Sequence, residues 1–396
     1  MERKYRRTLA ASYIGYITQA ITNNFAPLLF VVFRKEFGLS LGQIGFLVTY
    51  NFAIQITVDF LAANFAERIG CKKCIVTAHL FSAVGLFGLS VFPGVLPSPF
   101  VGLLLAITVY AIGGGLIEVL VSPIVEALPT DEKSTVMCVL HSFYCWGHAL
   151  VVILSTVFFT LAGTENWRAL AALWAIVPLG NAFLYAASPV LVLKGDGGSL
   201  SIGKLVRLKE LWLLVLLMIC SGASELSMSQ WSSFFAESGL QVSKTVGDLL
   251  GPCMFAILMG LIRLFYAFKG NGISLHKFII GSAALCLVSY LVAVFSPLPV
   301  LSLIACGVCG LAVGIMWPGV FSMSTEYCPQ GGTAMFGLLA LAGDIGCASG
   351  PSLVGFVSET MGGQLKWGLL MATLFPFILL IGVLTLNNHK VKRSTL

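Results

Sequence analysis

Glu118 lies inside an apolar run from about residue 100 to 125. That run is long enough to cross a bilayer, where a carboxylate costs roughly 2.5–3.5 kcal/mol on insertion. Such a group is retained for a task, and a mid-membrane carboxyl can take up and release a proton or hold a cation. Gly114, Glu118, Ser122 and Glu126 fall at i, i+4, i+8 and i+12, one helical stripe that must face protein or water rather than lipid. The preceding Gly113-Gly114-Gly115 lets a neighbouring backbone approach closely. Asp59 and Asp344 are acids of the same kind, and with Glu118 they form the set expected to couple an ion. A proton carried by Glu118 or Asp344 is the first expectation, and sodium held by Asp59 and neighbouring oxygens is the alternative.

A second group of residues suits recognition of a neutral solute. Asn23 and Asn24 form an amide pair, Asn51, Gln55 and Asp59 recur at i, i+4, i+8, and His141, Tyr144 and His148 at i, i+3, i+7. Glu225 and Trp317 complete the set in the second half of the chain. Amide and imidazole groups donate and accept hydrogen bonds to hydroxyls, while aromatic rings cover the apolar faces of a sugar. An anion would call for Arg or Lys deep in a helix, and Arg263 alone approaches this, nearer the cytoplasmic end. For Asn51, Gln55 and the serines, hydrogen bonding between helices at roughly 0.6–2 kcal/mol each is an equally good account. Trp167 and Trp231 stand near helix ends and read as interfacial belt residues, and His79 as structural.

The elements that position these groups follow from composition. Hydrophobic residues make up 58% of the 396 residues and charged residues 10%, which places the chain among polytopic membrane proteins. Apolar segments lie near 8–33, 41–66, 75–96, 99–125, 136–162, 168–193, 211–236, 246–268, 277–296, 299–325, 333–358 and 367–386, predicting twelve transmembrane helices in an all-α membrane protein. If the N-terminus is cytoplasmic, 18 of the 23 Lys and Arg are on the inner side and only Arg34, Lys35, Arg168, Lys244 and Lys366 are on the outer. Both termini are therefore expected in the cytoplasm of a multi-pass cell (inner) membrane protein. The net charge of +6 is this asymmetry and not a nucleic-acid footprint. The opening segment resembles a signal peptide, but its apolar run is too long and lacks a small-residue cleavage site, so it is read as the first helix.

No cofactor, metal or enzymatic chemistry is expected. Cys71-x-x-Cys74 and Cys306-x-x-Cys309 lack second ligand pairs nearby, His141 and His148 have no acid between them, and no phosphate-binding loop occurs. The expected partners are the lipid bilayer, a small solute and a coupling ion, with a monomer as the expected state.

The chain repeats at about half its length. Glu36-x-Gly38-Leu39 recurs as Glu237-x-Gly239-Leu240, and Gly114, Glu126 and Pro129 recur at a shift of 200 as Gly314, Glu326 and Pro329. An even number of helices per repeat keeps both copies in one orientation. The expected organisation is a six-helix bundle at 1–193, a cytoplasmic linker at 194–209 and a second six-helix bundle at 210–396.

Two parallel six-helix repeats resemble the major facilitator superfamily. The segment Glu67-Arg68-Ile69-Gly70-Cys71-Lys72-Lys73 looks like its loop motif of acid, Arg, Gly and basic residues. Within the superfamily, Asn23-Asn24 and Gly115-x-x-Glu118-x-x-x-Ser122-Pro123 are similar to the fucose–proton symporter family. The family's acid after the Asn pair falls near Pro27, and Ser122 stands where an Asn usually precedes the proline. The resemblance implies a secondary active transporter working by alternating access, with proton-coupled symport of a monosaccharide or polyol. It also implies that Glu67, Arg68, Gly70, Lys72 and Lys73 set a conformational equilibrium. The alternatives are an exporter of drugs or metabolites with the same fold, and a non-transporting membrane enzyme or receptor.

Overall fold

The computed structural model describes residues 3–129, 133–191, 202–270, 273–328 and 332–394, excepting the side chains of 3, 4, 63–68, 133–135, 138, 202, 204, 267, 332–334 and 387–394. Among the described residues all regular structure is helical. Twelve helices are long and apolar enough to cross a membrane: span 1 (Tyr5–Phe37), span 2 (Leu41–Ala62), span 3 (Cys71–Val95), span 4 (Pro99–Glu126), span 5 (Val139–Ala162), span 6 (Thr164–Ala186), span 7 (Lys209–Gly239), span 8 (Lys244–Tyr266), span 9 (Leu275–Phe295), span 10 (Pro299–Tyr327), span 11 (Met335–Thr360) and span 12 (Leu365–Leu386). In hydrocarbon a helix satisfies its backbone groups within itself, so apolar runs of this length fold this way. The chain divides into two compact units, Met1–Gly195 and Asp196–Leu396. Half of the expected linker, residues 194–201, like the side chains of Glu67 and Arg68, lies outside the described residues.

Prolines interrupt the spans where function could use a loosened backbone. Span 1, expected to be continuous, breaks after Asn24 into a 3-10 turn at Ala26–Leu29. The cause is Pro27, which supplies no N–H to the Asn23 carbonyl four residues earlier. Span 8 passes through a π turn at Leu249–Cys253 that contains Pro252. Span 10 divides into Pro299–Val313 and Met316–Tyr327, because Pro318 has no N–H for the Gly314 carbonyl. Spans 6 and 12 each break three residues before a proline, at Ala175 and Thr373, so the repeat extends to backbone defects.

Close packing follows small residues. A methyl group at Gly85 of span 3 would lie 2.3 Å from the Tyr110 nitrogen of span 4, so those backbones meet only over glycine. In the second unit a methyl at Gly222 of span 7 would lie 2.3 Å from the Gly343 oxygen of span 11. Large apolar side chains such as Phe60, Phe183, Phe268 and Phe356 are exposed on the outer faces, as lipid contact demands. Trp167 and Trp231, read from the sequence as interfacial, are instead completely buried. Each indole N–H has found an acceptor within its own unit, Glu36 Oε2 at the exposed end of span 1 at 2.9 Å for Trp167 and the buried Pro351 carbonyl at 3.0 Å for Trp231.

Candidate functional site

In the first unit the polar stripes of spans 1, 2 and 4 close into one hydrogen-bonded chain. Asn51 Nδ2 and Gln55 Nε2, one turn apart on span 2, both donate to Asn23 Oδ1, at 3.1 and 2.9 Å. Gln19 Nε2 of span 1 donates to Gln55 Oε1 at 3.0 Å and to Glu118 Oε2 of span 4 at 3.0 Å. The stripe on span 4 faces span 1 throughout: Gly114 meets Gln19 and Gln55, Glu118 meets Gln19, and Ser122 Oγ lies 3.0 Å from Tyr16 Oη. Only Glu126, at the helix end, is exposed. Asp59 sits beside this chain, its Oδ1 at 3.0 Å from where a methyl on Gly115 would be, and within electrostatic reach of Glu118.

Span 5 joins from the other side of span 1. Asn24 Nδ2 donates to Tyr144 Oη at 3.2 Å and to the Ala20 carbonyl at 3.0 Å. Tyr16 Oη lies 3.2 Å from His141 Nδ1, with the two rings edge to face at 5.2 Å. Asn23, Asn24, Asp59, Glu118, His141 and Tyr144 are thus gathered around span 1. His148 is buried farther along span 5. His79 lies outside the group, with Nδ1 at 2.8 Å from the Ile75 carbonyl and Nε2 at 2.8 Å from Asn181 Nδ2.

Gln19 is the joint of this arrangement, and Gln55 and Tyr16 its supports. Tyr16, Gln19 and Asn23 fall at i, i+3 and i+7 on one face, and that periodicity is the signal that could have singled them out.

The second unit builds a different polar centre. The Gly314 carbonyl left by Pro318 accepts from Arg263 Nε at 3.0 Å, and Arg263 Nη2 lies 3.6 Å from Glu225 Oε2. The sequence reading counted Arg263 on the cytoplasmic side. Its backbone is near the end of span 8, but its long stem carries the guanidinium inward to residues in the middle of spans 7 and 10. Glu225 is thereby engaged by a cation of its own unit. Trp317 lies against the span 11 backbone, where a methyl on Gly343 would come 2.1 Å from its Cη2, and the adjacent Asp344 is 6% exposed. Trp317 and Asp344 are neighbours in consequence.

Of the loop motif, Gly70 adopts φ +101° and joins spans 2 and 3 as a single-residue hinge that a side chain would strain. Lys72 and Lys73 are exposed in the first turn of span 3. No three His, Cys, Asp or Glu side chains come together as a metal-binding set among the described residues.

No curated protein sequence matches the chain significantly. Among solved structures, a bacterial homologue of the human lysosomal transporter Spinster, in an inward-facing and occupied conformation, matches with a TM-score of 0.80 at 14% identity, over 98% of each chain. The transporter FucP in its outward conformation matches with a TM-score of 0.63 at 19% identity, over 96% of this chain and 99% of that one. A variant of FucP, the fucose:proton symporter of E. coli, gives 0.64 at 18% identity, over 96% and 98%. At these identities the similarity speaks for the fold. A model of the Major Facilitator Superfamily matches residues 12–351, and with twelve spans arranged as two helical units the chain belongs to that superfamily of membrane transporters.

Proposed function

We propose that the protein is a secondary active transporter that moves a small neutral solute, a monosaccharide or related polyol, by alternating access, as a monomer and coupled to a cation at Glu118. The observation that carries this reading is the chain Asn51–Asn23–Gln55–Gln19–Glu118, which links amides on spans 1 and 2 to a carboxylate on span 4. Amides in such a chain can exchange partners with solute hydroxyls at little net cost, because each lost bond is replaced. Tyr16, Tyr144 and His141 stand beside it as ring surfaces. The engagement of Arg263 by Glu225 argues against an anionic solute, since this cation, which reaches mid-span, is already paired.

Coupling by a proton is what the similarity to a fucose:proton symporter supports. Glu118 has the connection it requires: its charge is felt by Gln19, and through Gln19 by the solute-facing amides. The charge asymmetry supports an orientation with both termini in the cytoplasm.

The test is Glu118→Gln, which removes the charge at nearly constant volume. Solute binding and counterflow exchange should persist while accumulation against a gradient is lost. Accumulation at the wild-type level would overturn the proposal. The same separation in Asp344→Asn, with Glu118→Gln unaffected, would place the coupling carboxylate in the second unit.

A further inference from the structure

We infer that the first unit binds a sodium ion between spans 1, 2 and 4, ligated by Asp59 Oδ1, Gln19 Oε1 and the Glu118 carboxylate. The inference deepens the proposed cation coupling and rests on it for its role in transport. It starts from an excess of acceptors. Gln19 donates from Nε2 to both Gln55 and Glu118, which fixes the amide orientation and leaves Oε1 pointing away from them. That Oε1 has no hydrogen-bond partner, although Gln19 is only 3% exposed. Asp59 Oδ1 is also buried without a partner. A buried polar atom left so is costly, and two in one place call for an occupant, either water or an ion.

The two oxygens lie against adjacent residues of span 4. A methyl on Gly114 would lie 3.3 Å from Gln19 Oε1, and one on the adjacent Gly115 would lie 3.0 Å from Asp59 Oδ1. Both oxygens therefore lie against the same two-residue stretch of span 4, about one turn before Glu118, where glycine lets them approach the helix closely. Neither Asp59 nor Glu118 forms an ion pair among the described residues, in contrast to Glu225 and Asp248 of the second unit.

The chemistry of the donors selects the ion. Carboxylate and amide oxygens suit a hard cation and exclude a soft one. Three side chains fall short of the six to eight oxygens that calcium takes, and magnesium dehydrates reluctantly enough to enter a buried site poorly. A water molecule would satisfy the acceptors but leave two carboxylates facing each other in a low-dielectric interior. A small monovalent cation answers both deficits.

Purified protein in detergent, titrated with radioactive sodium at constant ionic strength with choline as the replacement, tests the inference directly. About one saturable site per chain is expected, displaced by lithium more effectively than by potassium. Outer partners of a bound metal are worth 10–100-fold in affinity, so Asp59→Asn, which removes a ligand charge, should weaken binding by at least about tenfold. Gln19→Ala should weaken it as well, and covers the case in which Asp59→Asn fails to fold. Absence of saturable sodium binding to the wild-type protein, with accumulation driven by a pH gradient alone, would overturn the sodium site and leave cation coupling standing. Accumulation driven by neither ion would overturn both. Sodium binding unchanged in both variants would place the ion elsewhere and overturn the assignment of these ligands.

Discussion

The pair Arg263–Glu225 gives the sharpest test of how the second unit is held together. Its two side chains are 22% and 10% exposed, so both charges have left most of their water behind. Removing one partner of such a buried pair costs about 3–5 kcal/mol, chiefly because the other charge stays buried alone. Arg263→Met keeps the stem that packs between spans 7 and 10 but removes the guanidinium. Glu225 then loses its counter-charge, and the Gly314 carbonyl loses the donor that replaced the missing N–H of Pro318. The partial exposure of Arg263 lets water reach part of this defect, so the lower end of the range, about 3 kcal/mol, is expected. For a unit of 201 residues that is a fall in melting temperature of about 6–12 °C.

Glu225→Gln should cost less, because Arg263 keeps its bond to Gly314 and its access to water. The double variant should regain much of the loss, giving a coupling energy of about 1.5–3 kcal/mol in a double-mutant cycle read by thermal unfolding in detergent. Additive losses within about 0.5 kcal/mol would refute the reasoning. They would mean that the 3.6 Å approach carries no energy and that Glu225 is free to meet solute.

Gly70→Ala should lower stability by about 1–3 kcal/mol, since φ +101° excludes a side chain although nothing lies within 4 Å, and unfolding of the variant against wild type checks it. Trp231→Phe should cost about 1–2 kcal/mol through the lost bond to Pro351 and the space left behind, whereas a tryptophan at the lipid interface would be replaced almost without effect. Arg68→Ala should slow transport while leaving equilibrium solute binding within a few-fold, because a bias of about 1–3 kcal/mol between conformations changes populations and not contacts. Loss of binding by a folded Arg68→Ala protein in an equilibrium assay would contradict that role.

The fold was legible because a bilayer asks little of a sequence beyond length and apolarity. Twelve apolar runs, an even repeat and one motif were enough to name the architecture. The site was legible in part, and the division has a physical cause. A carboxylate inside a span announces itself by its insertion cost, so Glu118, Asp59, Glu225 and Asp344 stood out, whereas Gln19 pays far less and, though visible among the polar groups of the first helix, was not assigned to the site that it joins by connecting Gln55 to Glu118. Periodicity fixes which residues share a face but leaves open which helix that face meets. The reach of Arg263 to Gly314 was hidden for that reason, as was the burial of Trp167 against Glu36. Pro27 and Pro318 were visible as letters, but the groups that answer their missing N–H belong to tertiary structure.

The repeat itself conceals a divergence that bears on function. A shift of 200 sets Asn24 opposite Ser224, beside Glu225, so in the sequence the polar centres of spans 1 and 7 look equivalent. In the structure their charges are handled in opposite ways. The second unit answers Glu225 with Arg263 and answers Asp248 with Lys244 at 3.1 Å, so each acid carries its own cation. The first unit sets Glu118 against the Gln19 amide, and leaves Gln19 Oε1 and Asp59 Oδ1 without donors. Two copies of one helical plan would have shared the means of neutralising a buried acid had stability been the only demand. Among the described residues Asp59 and Glu118 form no ion pair, and a cation that arrives and departs there is what the proposed coupling would use.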